Sequence, residues 1–379
     1  MSLITATVLA GAIMTTTSPD QTGHPEAAFS VTEWGSVDGK PVQLWTLDSG
    51  SGMRMRVTNY GTIITELHVP DRSGKPVDVV LGRPTVQDYV ERTQYFGCTA
   101  GRCANRIGKG QFSIDGKAFQ VTCNNGPNCL HGGAKGFDKV VWEGKASLDQ
   151  GMPKVVFTST SKDGEEGFPG TVKATVTYTL TPLNQLLVDM SATTDAPTVV
   201  NMAHHSYWNL AGHASGTVLD HELQLMAGDY TPVDAALITT GEIKPVDGTP
   251  LDFRVAKPIG RDIAQLPATK DDPGGFDHNW CVDGATGTMR PAALLRSPKT
   301  GITMLVSSNQ PGIQFYSGNF LDGIPGKDGA TYRKHDGLCL ETQAYPDSIN
   351  KQGKPGWPNV VLRPGERYDH RMVHRFGAE

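Results

Sequence analysis

The chain has 379 residues, and its 34 Lys and Arg against 39 Asp and Glu give a formal net charge of −5. This mild acidity without a basic run argues against a nucleic-acid partner and against binding to an anionic membrane surface. Gly and Pro are abundant, at 44 and 25 residues, while charged residues make up only 19%. The length and the density of turn formers predict one large all-β domain with a sizeable core.

The N-terminal segment resembles a leader. Residues 3–14 are apolar, about as long as the hydrophobic region of a signal peptide and too short to cross a bilayer as a helix. Met1 and Ser2 supply no basic residue, so a signal-peptide remnant and a disordered leader both stay open. We predict a leader over residues 1–29 and a single domain over residues 30–379. Export to the periplasm or the exterior is favoured over a cytoplasmic location.

Along the rest of the chain, short strands alternate with tight turns. Residues 172–180 alternate apolar and polar side chains, which is typical of a strand with one buried face. Eight Asp-Gly dipeptides, which tolerate the positive φ of hairpin turns, favour antiparallel connections. The pattern predicts one helical turn at residues 87–91 and one hairpin at residues 112–119. It predicts further strands at residues 155–160, 186–192, 222–226, 302–307 and 313–316. We therefore predict a large antiparallel β-sandwich.

The six cysteines are too few for a disulfide scaffold, and none has the C-x2-C spacing of a zinc ribbon. We predict buried thiols and no metal site. Disulfide bonds Cys98–Cys103 and Cys123–Cys129 stay open, because close pairing needs a geometry that the sequence does not reveal. His370 and His374 are four residues apart in a β-rich tail, where we predict surface histidines.

Several polar residues stand in unusual local contexts. His131 lies in a loop rich in Gly and Asn, where a turn-capping role is the alternative to a functional one. His204 and His205 occupy a predicted strand, so alternation sends them to opposite faces and one of them is free to line a cleft. Tyr207 and Trp208 follow closely and offer flat apolar faces of the kind on which sugar rings rest.

Glu341 is the most informative carboxylate. It ends an apolar strand in which Leu338 and Leu340 point one way and Cys339 and Glu341 the other. Burial raises a carboxyl pKa toward the range of a general base at neutral pH, although a strand-end cap or ion pair is an equal alternative.

Two further charged residues belong with these candidates. Asp277 lies beside aromatic residues and Arg106 in an apolar neighbourhood, where an unpaired charge is costly, so a structural ion pair competes with a functional role. Together with the histidines and Glu341, they suit proton transfer on a neutral, hydroxylated ligand.

Ten sequence blocks resemble, in the same order, those of the aldose 1-epimerase (galactose mutarotase) family over residues 31–376. Among them are residues 101–107, 125–133, 205–210, 310–319 and 340–343. The resemblance implies the galactose mutarotase-like supersandwich with an open carbohydrate cleft and no cofactor. It also implies interconversion of the α and β anomers of free hexoses such as galactose and glucose. The expected partner is a small aldose, with the protein a monomer or weak dimer.

The resemblance also implies roles for individual residues. Glu341 matches the catalytic base of the family and His205 its acid. The positions that match sugar-binding residues are His131, Arg106, Asp277 and Gln314.

Three other functions compete with this one. A hexose-6-phosphate mutarotase needs a basic phosphate clamp, and no Lys/Arg cluster adjoins these blocks. A non-catalytic carbohydrate-binding protein has no need of both Glu341 and His205. A glycoside hydrolase needs two suitably spaced carboxylates, for which Asp277 and Glu341 are the candidates.

Overall fold

The computed structural model describes residues 26–92, 94–269 and 273–379. Of the predicted leader, residues 1–29, the first 25 residues lie outside the described residues. The apolar segment 3–14 is among them. Within the described ranges, no helix is long and apolar enough to cross a membrane.

The regular secondary structure of the described residues is almost entirely β-strand. The strands of the first half are β1 (Ala28–Val37), β2 (Lys40–Asp48), β3 (Arg54–Thr58), β4 (Ile64–Pro70), β5 (Pro76–Asp78), β6 (Cys98–Ala100), β7 (Arg106–Ile107), β8 (Gln111–Ile114), β9 (Lys117–Gln120), β10 (Cys129–Leu130), β11 (Glu143–Asp149), β12 (Met152–Ser161), β13 (Val172–Thr181) and β14 (Gln185–Thr194). Those of the second half are β15 (Thr198–Val199), β16 (Ala203–His205), β17 (Glu222–Leu225), β18 (Asp229–Thr231), β19 (Lys244–Pro245), β20 (Lys257–Pro258), β21 (Asp277–Cys281), β22 (Arg290–Arg296), β23 (Ile302–Ser308), β24 (Gly312–Tyr316), β25 (Ile324–Pro325), β26 (Thr331–Tyr332), β27 (Cys339–Gln343), β28 (Val361–Leu362) and β29 (Tyr368–Ala378).

Helical structure is limited to single turns. The α-helix α1 (Val86–Glu91) begins at Thr85, whose side chain accepts a hydrogen bond from the backbone N–H of Asp88. Short 3₁₀ turns lie at Gly108–Gly110, Phe137–Lys139, Glu165–Gly167, Ile259–Arg261, Ile263–Gln265, Lys327–Gly329 and Ser348–Lys351.

Three large antiparallel sheets make up the architecture. One has nine strands in the order β11-β12-β13-β14-β29-β23-β22-β17-β20, and two have five, β1-β2-β3-β4-β5 and β19-β18-β21-β24-β27. One hydrophobic core draws side chains from all three sheets, including Leu47, Val176 and Phe315. Each fully buried apolar side chain contributes roughly 1.5–3 kcal/mol to stability. The predicted all-β antiparallel sandwich is therefore confirmed.

The period-two pattern was a reliable guide to the strands. In β13, Val176, Tyr178 and Leu180 are fully buried, as the alternation predicts. The hairpin around Asp115-Gly116 is formed by β8 and β9, and the helical turn near residue 87 is α1. The remaining predicted strands coincide with β12, β14, β17, β23 and β24.

The prediction that His370 and His374 lie on the surface is wrong, because both side chains are fully buried. Their strand, β29, lies between β14 and β23 inside the nine-stranded sheet, so its alternate residues face the core. His370 Nε2 lies 2.8 Å from the hydroxyl of Thr342. Among the described residues, neither ring nitrogen of His374 has a hydrogen-bond partner.

All six cysteines are free thiols in the structure. The prediction of buried thiols holds for Cys98, Cys103, Cys129 and Cys339, whereas Cys281 is half-buried. It is wrong for Cys123, which is exposed because it lies in the loop after β9.

The buried histidines make stability depend on pH. Burial lowers the pKa of His370 to about 4 and that of His374 to about 3, from 6.5. The unfolded chain therefore binds these protons first, and stability falls as the pH drops from about 6.5 toward those folded-state values. H374L should leave stability near neutral pH unchanged or higher, because it replaces a buried unpaired polar group. It should also reduce the slope below pH 6.5 by up to about 1.4 kcal/mol per pH unit.

Urea denaturation at a series of pH values measures this slope. The control is H68L, at a histidine whose side chain is 32% exposed in β4. An H374L slope equal to that of the wild type would show that His374 is not a source of the acid sensitivity.

Candidate active site

A half-open cavity of about 260 Å³ lies beside the five-stranded sheet that ends in β27. Five of the six residues singled out in the sequence line it, namely Glu341, His205, His131, Arg106 and Asp277. The sixth, Gln314, lies at its edge and donates a hydrogen bond from Nε2 to Asp277 Oδ1 at 2.7 Å. The structure thus brings all six together from six separate segments of the chain.

The strand register of this sheet places its polar residues side by side. Gln314 in β24 is opposite Glu341 in β27 and also opposite Asn279 in β21. The alternate residues of the same two strands, Phe315 and Leu340, enter the hydrophobic core. One face of the sheet is therefore apolar, and the other presents the cavity with a carboxylate and its amide neighbour.

In the short strand β16, two adjacent histidines face opposite sides, as alternation predicted. His205 lines the cavity. His204 points the other way, with Nε2 2.8 Å from the Ser206 hydroxyl, and packs in the core against Tyr178. One histidine of the pair is thus available to a ligand, and the other is structural.

The same alternation corrects the prediction for the aromatic residues after β16. Tyr207 lines the cavity, but Trp208 is only 1% exposed. Trp208 packs in the core against His374 and Phe376, so it offers no face to a ligand. Adjacent residues of an extended chain face opposite sides, which leaves one of the two aromatics for the cavity.

Strand β7 and the loops next to β7 and β10 hold most of the remaining polar groups. Arg106 Nε donates to Asn125 Oδ1 at 3.1 Å, and Arg106 Nη1 lies 4.0 Å from Asp277 Oδ2. Asn105 and His131 both have left-handed backbone, with φ of 56° and 51°. Such strain in residues other than glycine is often found at functional sites, where the surrounding structure maintains it.

Glu341 and His205 form the most deeply buried charged pair of the cavity. Glu341 Oε1 lies 3.6 Å from His205 Nε2, and the two residues are 2% and 5% exposed. Burial raises the pKa of Glu341 well above its usual 4.5 and lowers the pKa of His205 to about 4. Because burial penalises a net charge, the pair favours the state with one shared proton.

The second carboxylate oxygen of Glu341 differs from the first, which faces His205. Among the described residues, Glu341 Oε2 has no hydrogen-bond partner, although it is buried. A buried carboxylate oxygen without a partner is costly, and the cost is lower when the carboxyl group is protonated.

Donor atoms of His131, His205 and Glu341 all lie within 4.8 Å of one another, a set that resembles a metal site. However, His131 Nδ1 accepts a hydrogen bond from the backbone N–H of Asn105 at 3.1 Å, so its hydrogen is on Nε2. A metal ligand needs a free lone pair, and neither nitrogen of His131 offers one. The donor set therefore does not fit a resident metal ion.

Several cavity residues were missed in the sequence, among them two aromatics. Tyr95 packs against both histidines, with ring centroids 4.5 Å from His131 and 5.8 Å from His205. Phe320 lines the cavity and is 53% exposed. Both lie beside polar residues and a glycine, but an aromatic side chain in such a context packs in a core as readily as it lines a cavity, so the local sequence does not distinguish the two.

The sequence profile of aldose 1-epimerase matches residues 43–375, which is most of the chain. The chain belongs to the aldose 1-epimerase family. Among curated proteins, the bovine galactose mutarotase is 45% identical over 327 residues, covering 86% of this chain and 92% of the relative. The aldose 1-epimerase of Escherichia coli K12 is 36% identical over 347 residues, covering 90% and 97%.

Solved structures of this aldose 1-epimerase family share the fold. A galactose 1-epimerase from Lactobacillus acidophilus superposes with a TM-score of 0.81 at 28% identity, covering 93% of this chain and 99% of its own. An aldose epimerase homologue from C. elegans superposes with a TM-score of 0.77 at 31% identity, covering 86% and 96%.

A glycine after His131 is expected to be essential to the site. Gly132 has φ of +93°, and a Cβ there would overlap the carbonyl oxygen of Gly101. G132A should lower the free energy of unfolding by about 3 kcal/mol or more, from the unfavourable φ and the steric overlap together. The matched control is G116A, where φ is +79° and no atom lies within 4 Å of the added Cβ. It should cost only about 1 kcal/mol.

Denaturant unfolding of both variants measures the difference. Equal losses in G132A and G116A would mean that the close approach to Gly101 does not constrain this loop.

Proposed function

We propose that this protein interconverts the α and β anomers of free aldoses, including galactose and glucose, by acid–base ring opening and closure. It is an isomerase of the aldose 1-epimerase family, and relatives named for this activity are 36–45% identical over most of its length. The observation that carries the residue assignments is the buried pair of Glu341 and His205 in one cavity.

Glu341 is proposed as the base. Its raised pKa gives a carboxylate that accepts a proton readily near neutral pH, it lines the cavity, and its Oε2 has no hydrogen-bond partner among the described residues. In ring opening, Glu341 takes the proton of the anomeric hydroxyl. The electrons of that O–H bond form the carbonyl at C1 while the bond from C1 to the ring oxygen breaks.

His205 is proposed as the acid. It gives its Nε2 proton to the ring oxygen as that oxygen leaves C1, so the open-chain aldehyde is neutral. Rotation about C1–C2 presents the other carbonyl face, and closure returns both protons to the groups that supplied them. A positioned acid or base of this kind accelerates the reaction roughly 10²–10⁴-fold.

The remaining predicted residues are proposed to bind the sugar hydroxyls. Arg106 and Asp277 face each other at 4.0 Å, a spacing at which hydroxyl groups are able to bridge the cation and the carboxylate. Gln314 orients Asp277 through its 2.7 Å hydrogen bond. His131 presents an Nε2–H donor, because the Asn105 N–H occupies its other nitrogen.

The cavity favours a free sugar over a phosphorylated one. Among the described residues that line it, Arg106 is the one Lys or Arg, and it already faces Asp277. A phosphate clamp needs cations that are not paired in this way. A purely sugar-binding role would leave the buried acid–base pair without a function. The sequence-based prediction of a monomer or weak dimer is retained.

Replacing the proposed base tests the mechanism directly. E341Q keeps the shape of Glu341 but accepts no proton, so kcat should fall by about 10²-fold or more while sugar binding stays measurable. Polarimetry on freshly dissolved α-D-glucose and α-D-galactose gives the rate, and calorimetry gives the affinity. The matched control is E222Q, at a glutamate paired with Arg296 in the outer part of β17. Turnover of E341Q equal to that of the wild type would eliminate Glu341 as the base.

The pH dependence of kcat tests the shared proton. One proton on the Glu341–His205 pair is the active state, so we expect a bell-shaped profile. Burial lowers the pKa of His205 to about 4 and raises that of Glu341, which moves the two limbs apart and gives a broad plateau around neutrality. Polarimetry across the pH range in which the protein is folded gives the profile. A rate that rises steadily into alkaline solution would contradict the shared-proton state.

A further inference from the structure

The two histidines of the cavity differ in the group that faces Nδ1. His131 Nδ1 accepts the backbone N–H of Asn105 at 3.1 Å. His205 Nδ1 lies 3.6 Å from the thiol sulfur of Cys339. A backbone N–H can only donate a hydrogen bond, whereas a thiol either donates or accepts one.

This difference prevents His131 from acting as a proton donor. Its Nδ1 must keep a lone pair toward Asn105, so the hydrogen stays on Nε2. A histidine that gives away its Nε2 proton needs a second hydrogen on Nδ1, and at His131 that hydrogen would meet another N–H in a buried place. His131 therefore donates a hydrogen bond to a ligand but does not transfer the proton.

His205 has no such restriction. Before and after it gives its Nε2 proton to the ring oxygen, the hydrogen on Nδ1 needs an acceptor, and the sulfur of Cys339 is the side-chain atom in place. When the pair loses its shared proton, the thiol rotates and donates to the bare Nδ1 instead. Burial raises the pKa of Cys339 well above its usual 9.0, which keeps the hydrogen on sulfur that the second arrangement needs.

We propose that Cys339 is a positioning residue that makes His205, and not His131, the proton donor of the cavity. The argument rests on the proposed function, because it explains how the acid assigned there is able to change its protonation state. Cys339 touches no substrate in this scheme and acts only through the imidazole.

The neighbours of His205 are compatible with this assignment. Glu341 is 3.6 Å away on the Nε2 side, where it takes part in the shared proton. The other titratable groups that face His205 or line its cavity are Cys339, Cys98, His131, Tyr95, Tyr207 and Tyr316, with the facing charges of Arg106 and Asp277 farther along the cavity. Of these, only Cys339 contacts Nδ1 among the described residues.

Nitrogen-15 NMR on histidine-labelled protein without sugar tests the assignment. Near neutral pH, His131 should show hydrogen on Nε2 alone, and His205 should show hydrogen on Nδ1. H131N and H205N spectra identify the two sets of signals. If His131 has hydrogen on Nδ1, or His205 lacks it there, the proposal is overturned.

Variants at Cys339 test its effect on turnover. C339V keeps the volume but removes the acceptor, so kcat should fall by about 10- to 100-fold with little change in KM, and the Nδ1 hydrogen of His205 should be lost. C339S keeps both hydrogen-bonding roles and should retain most of kcat. The matched control is C103V, at a thiol that is also buried but lies outside the lining of the cavity and hydrogen-bonds the carbonyl of Ala104.

The outcomes separate the two proposals. A folded C339V with wild-type kcat and an unchanged His205 spectrum overturns the role of Cys339 while leaving the mutarotase function intact. If C339V does not fold, the wild-type spectrum and the kcat of C339S decide. A C339S variant that is as slow as H205N overturns the proposal. A wild-type protein that does not accelerate mutarotation overturns the proposed function, and the nitrogen assignments, made without sugar, are unaffected by that result.

Discussion

A carboxylate and an imidazole buried within 3.6 Å of each other are the constraint on which this cavity depends. Taking either charge out of water alone costs several kcal/mol, so Glu341 and His205 are stable together only when their protons are shared. The fold meets this demand by placing each on a strand, β27 and β16, whose other faces are anchored in the core. Residues held on strands keep their separation better than residues on loops.

Part of the cavity lining, beside this rigid pair, has strained backbone. Tyr95, Asn105 and His131 all have left-handed backbone and all line the cavity. Such conformations cost of order 1–3 kcal/mol each, and they persist because the surroundings determine them. Here the surroundings are visible, since the N–H of Asn105 bonds the ring of His131 while the N–H of His131 bonds the carbonyl of Asn105. This reciprocal pair of backbone groups orients the imidazole, and the ring of Tyr95 packs against it.

Local pattern was enough to predict most of the fold and the facing of single residues. Alternation separated His204 from His205 and placed Glu341 opposite Leu340, because side-chain direction in a strand depends only on neighbours in sequence. It failed where the outcome depends on distant pairing. His370 and His374 are buried because β29 pairs with β14, almost two hundred residues earlier, and no local signal reports that. The error at Trp208 is of a different kind, because alternation along the chain already predicts that Trp208 and Tyr207 face opposite sides.

The charges of the cavity also bear on which ligand it accepts. Arg106 and Asp277 balance each other, and the Glu341–His205 pair with one shared proton adds no net charge. The wall is thus neutral overall but rich in donors and acceptors, which suits a ligand with many hydroxyls and no charge. A phosphate would meet two carboxylates against a single guanidinium, at a desolvation cost that nothing in the wall offsets. The same neutrality explains why the proposed chemistry works as an exchange, because each proton that leaves the sugar at one oxygen is matched by one that arrives at another.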